Sequence, residues 1–401
     1  MKIKYSSLKN IYIYLLAVFI VMKVWRAFSG DTERGGLWNY IQIFYVVIGP
    51  FLFLKYSKII SKEPAVLMLV FYSAFAFIIS VVSIEKLSIS SVFNLIKVPF
   101  AGMVIILFYT YRLRTENMHS CDNLLKAVFY ISSVILCYKL GFHMLGGGRR
   151  SSEIGAVADV YYVLGMLPYI ITITDKKRWL IPIVVAAVSI FISQKRAGFI
   201  ALSGLIFILY FVSSLRDKDI QSSIKKNLIL IFLIVAGYFL MVYMDSLFNL
   251  RLFVRLEKLE TDGGSGRSVR WQYILEIMKY SSAMEILFGH GFDQVRILVG
   301  HAHNDFLEVL YNFGIVSVVP YFAYYVIQVS NARKMIKEKY SHYAEFSASL
   351  FISICLAMFS FYVIDATYII CGCFTQGVLL ADWRMSRNLL SVETKDVEKM
   401  V

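Results

Sequence analysis

Residues 64–84 read PAVLMLVFYSAFAFIISVVSI, with no charged side chain anywhere in the run. A helix rises about 1.5 Å per residue, so this stretch matches the roughly 30 Å hydrocarbon core of a bilayer. A soluble helix would keep a polar face, and this one has none. The same pattern recurs along the chain, giving spans near 11–28, 37–54, 64–84, 89–111, 123–142, 155–174, 179–193, 197–214, 227–247, 304–329, 345–364 and 367–383. The expectation is an all-α, polytopic membrane helix bundle of about 12 spans, a single integral membrane domain over 1–401.

Composition supports this class. The 401 residues are 58% hydrophobic and 17% charged, with a mean hydropathy of +0.65. A soluble chain of this length would need far more polar surface to cover its core. The net charge of +14 does not indicate nucleic acid, because Lys and Arg fall in short clusters between apolar stretches and no zinc finger, RNA-binding signature or basic helix accompanies them. Ile11 to Phe28 follows Lys2, Lys4 and Lys9 and lacks a small-residue cleavage pattern, so it reads as an uncleaved first helix. Cys371 and Cys373, two positions apart on a predicted helix, face different directions and make a poor metal or disulfide pair.

The clusters predict sidedness. With the N-terminus in the cytoplasm, the inner connections hold Lys55, Lys58 and Lys62; Arg112 and Arg114; Lys176, Lys177 and Arg178; Arg216, Lys218, Lys225 and Lys226; Arg333, Lys334, Lys337 and Lys339. The tail adds Arg384, Arg387, Lys395 and Lys399, whereas the short outer loops are poorer in Lys and Arg. An even number of spans returns the C-terminus to the cytoplasm.

One connection breaks the regularity. Residues 248–303 form a long outer loop of mixed charge in which Arg251–Glu260 and Ser268–Tyr280 place Leu252, Val254, Ile274, Leu275 and Met278 at amphipathic spacing. Thr261 to Gly266 is a glycine-rich break between them. No internal repeat is evident, so an inverted-repeat transporter gains no support.

Three basic sites fall on the outer side. Lys195 and Arg196 lie in a tight turn between two spans; an arginine near the hydrocarbon edge either snorkels or meets an anion, onto which its guanidinium can fork. Arg267 and Arg270 open a predicted helix after the glycine break, with Ser265 or Ser268 as candidate caps and a helix N-terminus suited to phosphate; an ordinary capped surface helix is the alternative. His301 and His303 precede Asn304 and Asp305 where the loop enters the next span. An imidazole there suits proton transfer, while the H-A-H spacing lacks a third metal ligand beyond Asp305. Arg149 and Arg150 after three glycines make a weaker phosphate candidate, and Asp365 is a candidate partner for a histidine.

The order of these motifs resembles the O-antigen polymerase and O-antigen ligase superfamily. HNDFLEVLYNFGIVS, His303 to Ser317, resembles its His-Asn signature at the end of a long periplasmic loop. SGRSVRW, Ser265 to Trp271, resembles its loop arginine followed four residues later by an aromatic. Ile192 to Arg196 resembles, more loosely, its helix-turn arginine. Phe288 to Phe292 resembles its G-x-G piece. The likeness covers about residues 155–330.

The resemblance implies a GT-C-like, inverting membrane glycosyltransferase in the bacterial inner membrane. Its donor would be a glycan on undecaprenyl diphosphate at the periplasmic face. Catalytic His303 would act as base; Arg196, Arg267, Arg270 and Lys195 would bind diphosphate, with Asn304, Asp305, His301, Asp365, Arg149 and Arg150 in support, and neither cofactor nor metal is implied. A diphosphate leaves without protonation, so the paired carboxylates of glycosidases are not required. Membrane lipids, a chain-length regulator and a flippase of the same surface-polysaccharide pathway are the implied partners. The H-N-D-F-L-E run reads as the polymerase version. A ligase transferring to lipid A–core and a lipid-linked oligosaccharide flippase are the alternatives.

Overall fold

The computed structural model describes residues 10–26, 37–83, 95–115, 119–145, 158–175, 177–193, 195–214, isolated positions between 221 and 246, 266–360 and 368–398. Every regular element among the described residues is an α-helix, the form that satisfies all backbone polar groups within one segment when lipid replaces water. In chain order these are α1 (Ile11–Arg26), α2 (Leu37–Ile60), α3 (Pro64–Ser83), α4 (Phe100–Arg114), α5 (His119–Leu145), α6 (Val160–Ile173), α7 (Leu180–Ser193), α8 (Arg196–Ser214), α9 (Arg267–Met278), α10 (Ala283–Phe288), α11 (Gln294–Val299), α12 (Asp305–Lys337), α13 (Tyr343–Phe359) and α14 (Ile369–Glu398). Apart from 227–247, which lies mostly outside the described residues, each expected span overlaps one of these helices, 89–111 only from Phe100 onward.

The chain is a multi-pass helical membrane protein. Among the described residues, four stretches are long and apolar enough to cross a bilayer unaided: Asn39–Ile60, Pro64–Ser83, Cys121–Tyr138 and Asp305–Lys337. The other apolar helices are shorter, and that difference shapes the site described below.

Helix α4 is the axis of the bundle, buried at every position from Phe100 to Tyr111 between α2, α3 and α14. Small residues allow this closeness. The Gly102 amide donates to Ser73 Oγ of α3 at 2.9 Å, and Gly377 of α14 lies against the Tyr109 backbone. Cys371 packs on Gly165 of α6, whereas Cys373 Sγ approaches Ala101 O of α4 at 3.7 Å. The two thiols therefore face different helices, as their spacing predicts.

Charged groups gather at one end. Arg384 of α14 donates to Glu63 at the α2–α3 turn at 2.6 and 3.3 Å. Arg112 at the end of α4 pairs with Asp382 at 2.5 Å, and Trp383 Nε1 donates to Glu338 just beyond α12 at 2.7 Å. The opposite end carries Ser83, the α7–α8 turn and the end of α13.

Helix α12 is the main departure from the sequence reading, which treats 304–329 as a single span. Gly314 breaks it with φ 66° and ψ −171°, and the chain folds back there. Tyr321 OH donates to Asp305 Oδ2 at 3.2 Å, and the Phe306 ring lies 5.3 Å from Tyr321 and 5.8 Å from Tyr325. On a straight helix, sixteen residues would separate by about 24 Å. Residues 305–313 are thus a short arm that doubles along the helix 315–337. Hydropathy reads straight through the apex because both arms are apolar.

The segment 288–291 crosses that apex. His290 N donates to Tyr311 O at 2.8 Å and Gly291 N to Asn312 O at 3.0 Å. A Cβ on Gly289 would strike the Asn312 carbonyl, and one on Gly314 would strike the Leu287 carbonyl. The G-x-G piece is the lid of the hairpin, and Phe292 N ties it to Ser83 Oγ of α3 at 3.1 Å.

Candidate functional site

The site forms where several short helices end. Helices α6 and α7 have 14 residues each and α13 has 17, so they extend about 21 to 26 Å. A bilayer core is about 30 Å thick. All three are shorter than that thickness. Asp159 precedes α6, Lys195 and Arg196 form the α7–α8 turn, and Phe359 closes α13.

Helix α9 lies between the end of α13 and the loop that leads into α12. Its N-cap is Gly266, with φ 74° and no side-chain cap. The expected serine cap is therefore corrected: Ser268 lies inside the helix, and Ser265 is outside the described residues. Ile274 is fully buried against the protein, while Leu275 faces outward. Ile274 packs with Val295, Ala302 and Tyr311, and Trp271, Ile277, Met278 and Leu307 close around them. This small second core fastens α9 to the arm of α12.

Arg267 Nη1 donates to Phe359 O at 2.7 Å, which brings α9 to the end of α13. Arg270 Nη1 donates to His301 O at 3.0 Å and Trp271 Nε1 to Ala302 O at 2.7 Å. Arg270, an expected diphosphate ligand, also holds the histidine loop through one of its nitrogens.

His303 sits half-buried at the foot of the arm with φ 56°, a left-handed conformation rarely taken by a residue with a side chain. Burial, and then Arg267, His301, Arg270 and Lys195, push its pKa down to about 3. Burial and Arg267 lower Lys195 to about 8, against the opposing pull of Asp159. Burial also lowers Arg267, and Arg196 and Arg270 add to this while Tyr161 opposes it; a guanidinium remains charged regardless. These mutual effects place Lys195, Arg196, Arg267, Arg270 and His303 in one electrostatic neighbourhood. The buried Nη1 of Arg196 has no hydrogen-bond partner among the described residues, as suits a group directed at an anion.

The supporting residues divide. Asn304 caps the arm, accepting from Leu307 N at 3.1 Å. His301 Nδ1 lies 3.8 Å from Glu308 Oε1. Asp305 is fully buried and accepts from Tyr321 OH in the bundle interior. Among the described residues, no three His, Cys, Asp or Glu side chains are grouped closely enough to hold a metal ion. Arg149, Arg150 and Asp365 lie outside the described residues. Sequence reasoning missed Glu308, which is 1% exposed and accepts from both Ala302 N and His303 N. Its signal was a second carboxylate, one turn after Asp305, on an otherwise apolar helix, where an ion needs a partner.

Residues 181–322 match the family model described as O-antigen ligase. The match runs from α7 through the α7–α8 turn, the loop helices and the arm of α12, so it contains Lys195, Arg196, Arg267, Arg270 and His303. It supports the O-antigen ligase and polymerase superfamily that the motifs resemble. No curated protein matches the chain.

Proposed function

We propose that this chain is an inverting, GT-C-like glycosyltransferase acting as a surface-polysaccharide polymerase. It transfers a glycan from undecaprenyl diphosphate to a sugar hydroxyl of a lipid-linked repeat unit. The observation that carries the reading is His303, held in a left-handed turn beside the helix that bears Arg267 and Arg270, with Lys195 and the unpartnered buried Nη1 of Arg196 in the same electrostatic neighbourhood. Such a cluster fits an anionic leaving group beside a proton acceptor.

The acceptor hydroxyl oxygen attacks the anomeric carbon on the face opposite the diphosphate. The bond from that carbon to the phosphate oxygen breaks, and the electron pair leaves with the diphosphate. His303 takes the hydroxyl proton. Arg196, Arg267 and Lys195 stabilise the charge that gathers on the departing oxygen. At a pKa of about 3, His303 is neutral but a weak base. A bound diphosphate offsets the cations that depress it and raises its proton affinity. The base is therefore strengthened when the donor arrives.

The topology that goes with this reading has about twelve spans, both termini in the cytoplasm and the 248–303 loop at the periplasmic face of the inner membrane. The gathering of the basic connections at the end opposite the site supports it. The ligase reading has one specific support, the description of the matched family; it shares the donor and chemistry and differs in the acceptor.

The test is lipopolysaccharide profiling of a deletion strain complemented with His303→Ala, Arg196→Ala or Arg267→Ala. Loss of polymerase activity leaves core capped by a single repeat, and loss of ligase activity leaves bare core with lipid-linked polymer. Lipid-linked repeat trapped on the inner leaflet indicates a flippase. Full ladders from all three variants overturn the catalytic assignment.

A further inference from the structure

We infer that Glu308 is a positioning residue: its buried carboxylate, without reaching the substrate, fixes the backbone that presents His303 to the cation cluster. The inference rests on the reading of His303 as the base.

The three residues before Asn304 are held from two sides. From α9, Arg270 binds His301 O and Trp271 binds Ala302 O. From the arm of α12, a single oxygen of Glu308, Oε1, accepts from Ala302 N at 2.7 Å and from His303 N at 3.2 Å. The same oxygen faces His301 Nδ1 at 3.8 Å. Four backbone groups of three consecutive residues are thereby engaged by side chains rather than by regular structure.

A loop needs such a clamp when its conformation is unfavourable, and His303 has φ 56°. Two amide donors converging on one carboxylate oxygen resist relaxation to the ordinary right-handed region. Glu308 is almost fully buried, and it lies early in the arm, where the helix N-terminus favours a negative group. Its bonds go to the backbone of the loop, whereas Arg267, Arg270 and Lys195 act on the imidazole through charge.

Because both bonds go to one oxygen, chemistry separates the possible roles. Glu308→Gln keeps a carbonyl oxygen at that point and loses only the charge. Glu308→Asp keeps the charge but is one methylene too short. Glu308→Ala loses both.

The experiment uses the full chain in nanodiscs, with steady-state transfer from a lipid-linked repeat unit. A second readout needs no turnover: the rate at which diethyl pyrocarbonate modifies His303, followed by mass spectrometry. Glu308→Ala and Glu308→Asp should lower kcat about 100-fold with KM nearly unchanged, as expected when a reacting group is displaced by about 1 Å. Both should change the His303 labelling rate at least about threefold, and Glu308→Gln should stay within about tenfold of wild-type kcat with wild-type labelling. Where Glu308→Ala does not accumulate, the Gln and Asp pair decides the question. Wild-type kcat and labelling in Glu308→Asp, or a Glu308→Gln as inactive as Ala, overturns the positioning role. Transfer by His303→Ala overturns the reading of His303 as base, and the labelling result still judges the clamp by itself.

Discussion

Asp305 and Tyr321 stand sixteen positions apart on the two arms of a helix broken at Gly314, where Tyr321 OH donates to Asp305 Oδ2 at 3.2 Å and both side chains are fully buried. The bond closes the hairpin that sets the depth of His303. Tyr321→Phe leaves a buried carboxylate without that donor and should destabilise the protein by about 1–3 kcal/mol. Thermal unfolding of the detergent-solubilised chain measures it, and an unchanged midpoint would show that the bond contributes nothing.

The hairpin apex makes a sharper prediction. Gly314 combines φ 66° with ψ −171° and lies against the Leu287 carbonyl, so Gly314→Ala meets both backbone strain and a backbone clash. Gly266 also has positive φ, but a Cβ there meets nothing within 4 Å. Gly314→Ala should abolish accumulation of folded protein, whereas Gly266→Asn should be nearly neutral. Fluorescence-detected size-exclusion chromatography compares them, and equal behaviour would remove the apex from the argument.

Lys195 gives donor affinity a pH dependence. With its pKa lowered to about 8, the unliganded protein loses this cation as pH rises through that value. Diphosphate binding then requires proton uptake, so affinity should weaken above about pH 8 by up to tenfold per pH unit. Calorimetry with the lipid-linked donor across this range should show the step. Lys195→Met should bind more weakly and lack it; a step retained in that variant would assign it to another group.

The depressed His303 should respond in the opposite direction when cations are removed. Arg267→Gln or Lys195→Met takes away positive charge that disfavours the imidazolium, so the His303 pKa should climb from about 3 towards its ordinary value of about 6.5. The pH at which diethyl pyrocarbonate labelling of His303 falls off should rise with it. The same depression enters stability. The unfolded chain binds the proton first, so His303's contribution is complete above about pH 6.5 and is lost as pH falls towards about 3. A labelling profile unaltered in both variants would separate His303 from the cations.

At the far end, Glu63 is 1% exposed and pairs with Arg384, whose guanidinium also lies 4.5 Å from the Trp383 ring. Glu63→Ala strips a half-buried cation of its carboxylate partner and should cost about 1–3 kcal/mol. The loss should appear in unfolding temperature and expression, with transfer per folded molecule retained. A variant of normal stability and no activity would tie this end to the chemistry instead.

Much of the architecture was legible in residues 64–84 and their counterparts. Lipid admits only segments that are apolar and bond their own backbone, so hydropathy alone places the helices, and Lys and Arg clusters alone predict that the basic connections share an end. The site cations and His303 were legible because each is a charge or a titratable group beside a span. What the sequence could not determine was direction. It presented 304–329 as one span, offered Asp305 as a neighbour of the histidine and passed over Glu308. Hydropathy averages over a window and is blind to one glycine dihedral. The fold-back at Gly314, a property of tertiary packing against Leu287 and Gly289, turns Asp305 into the bundle, turns Glu308 to the loop and sets His303 among arginines from other parts of the chain.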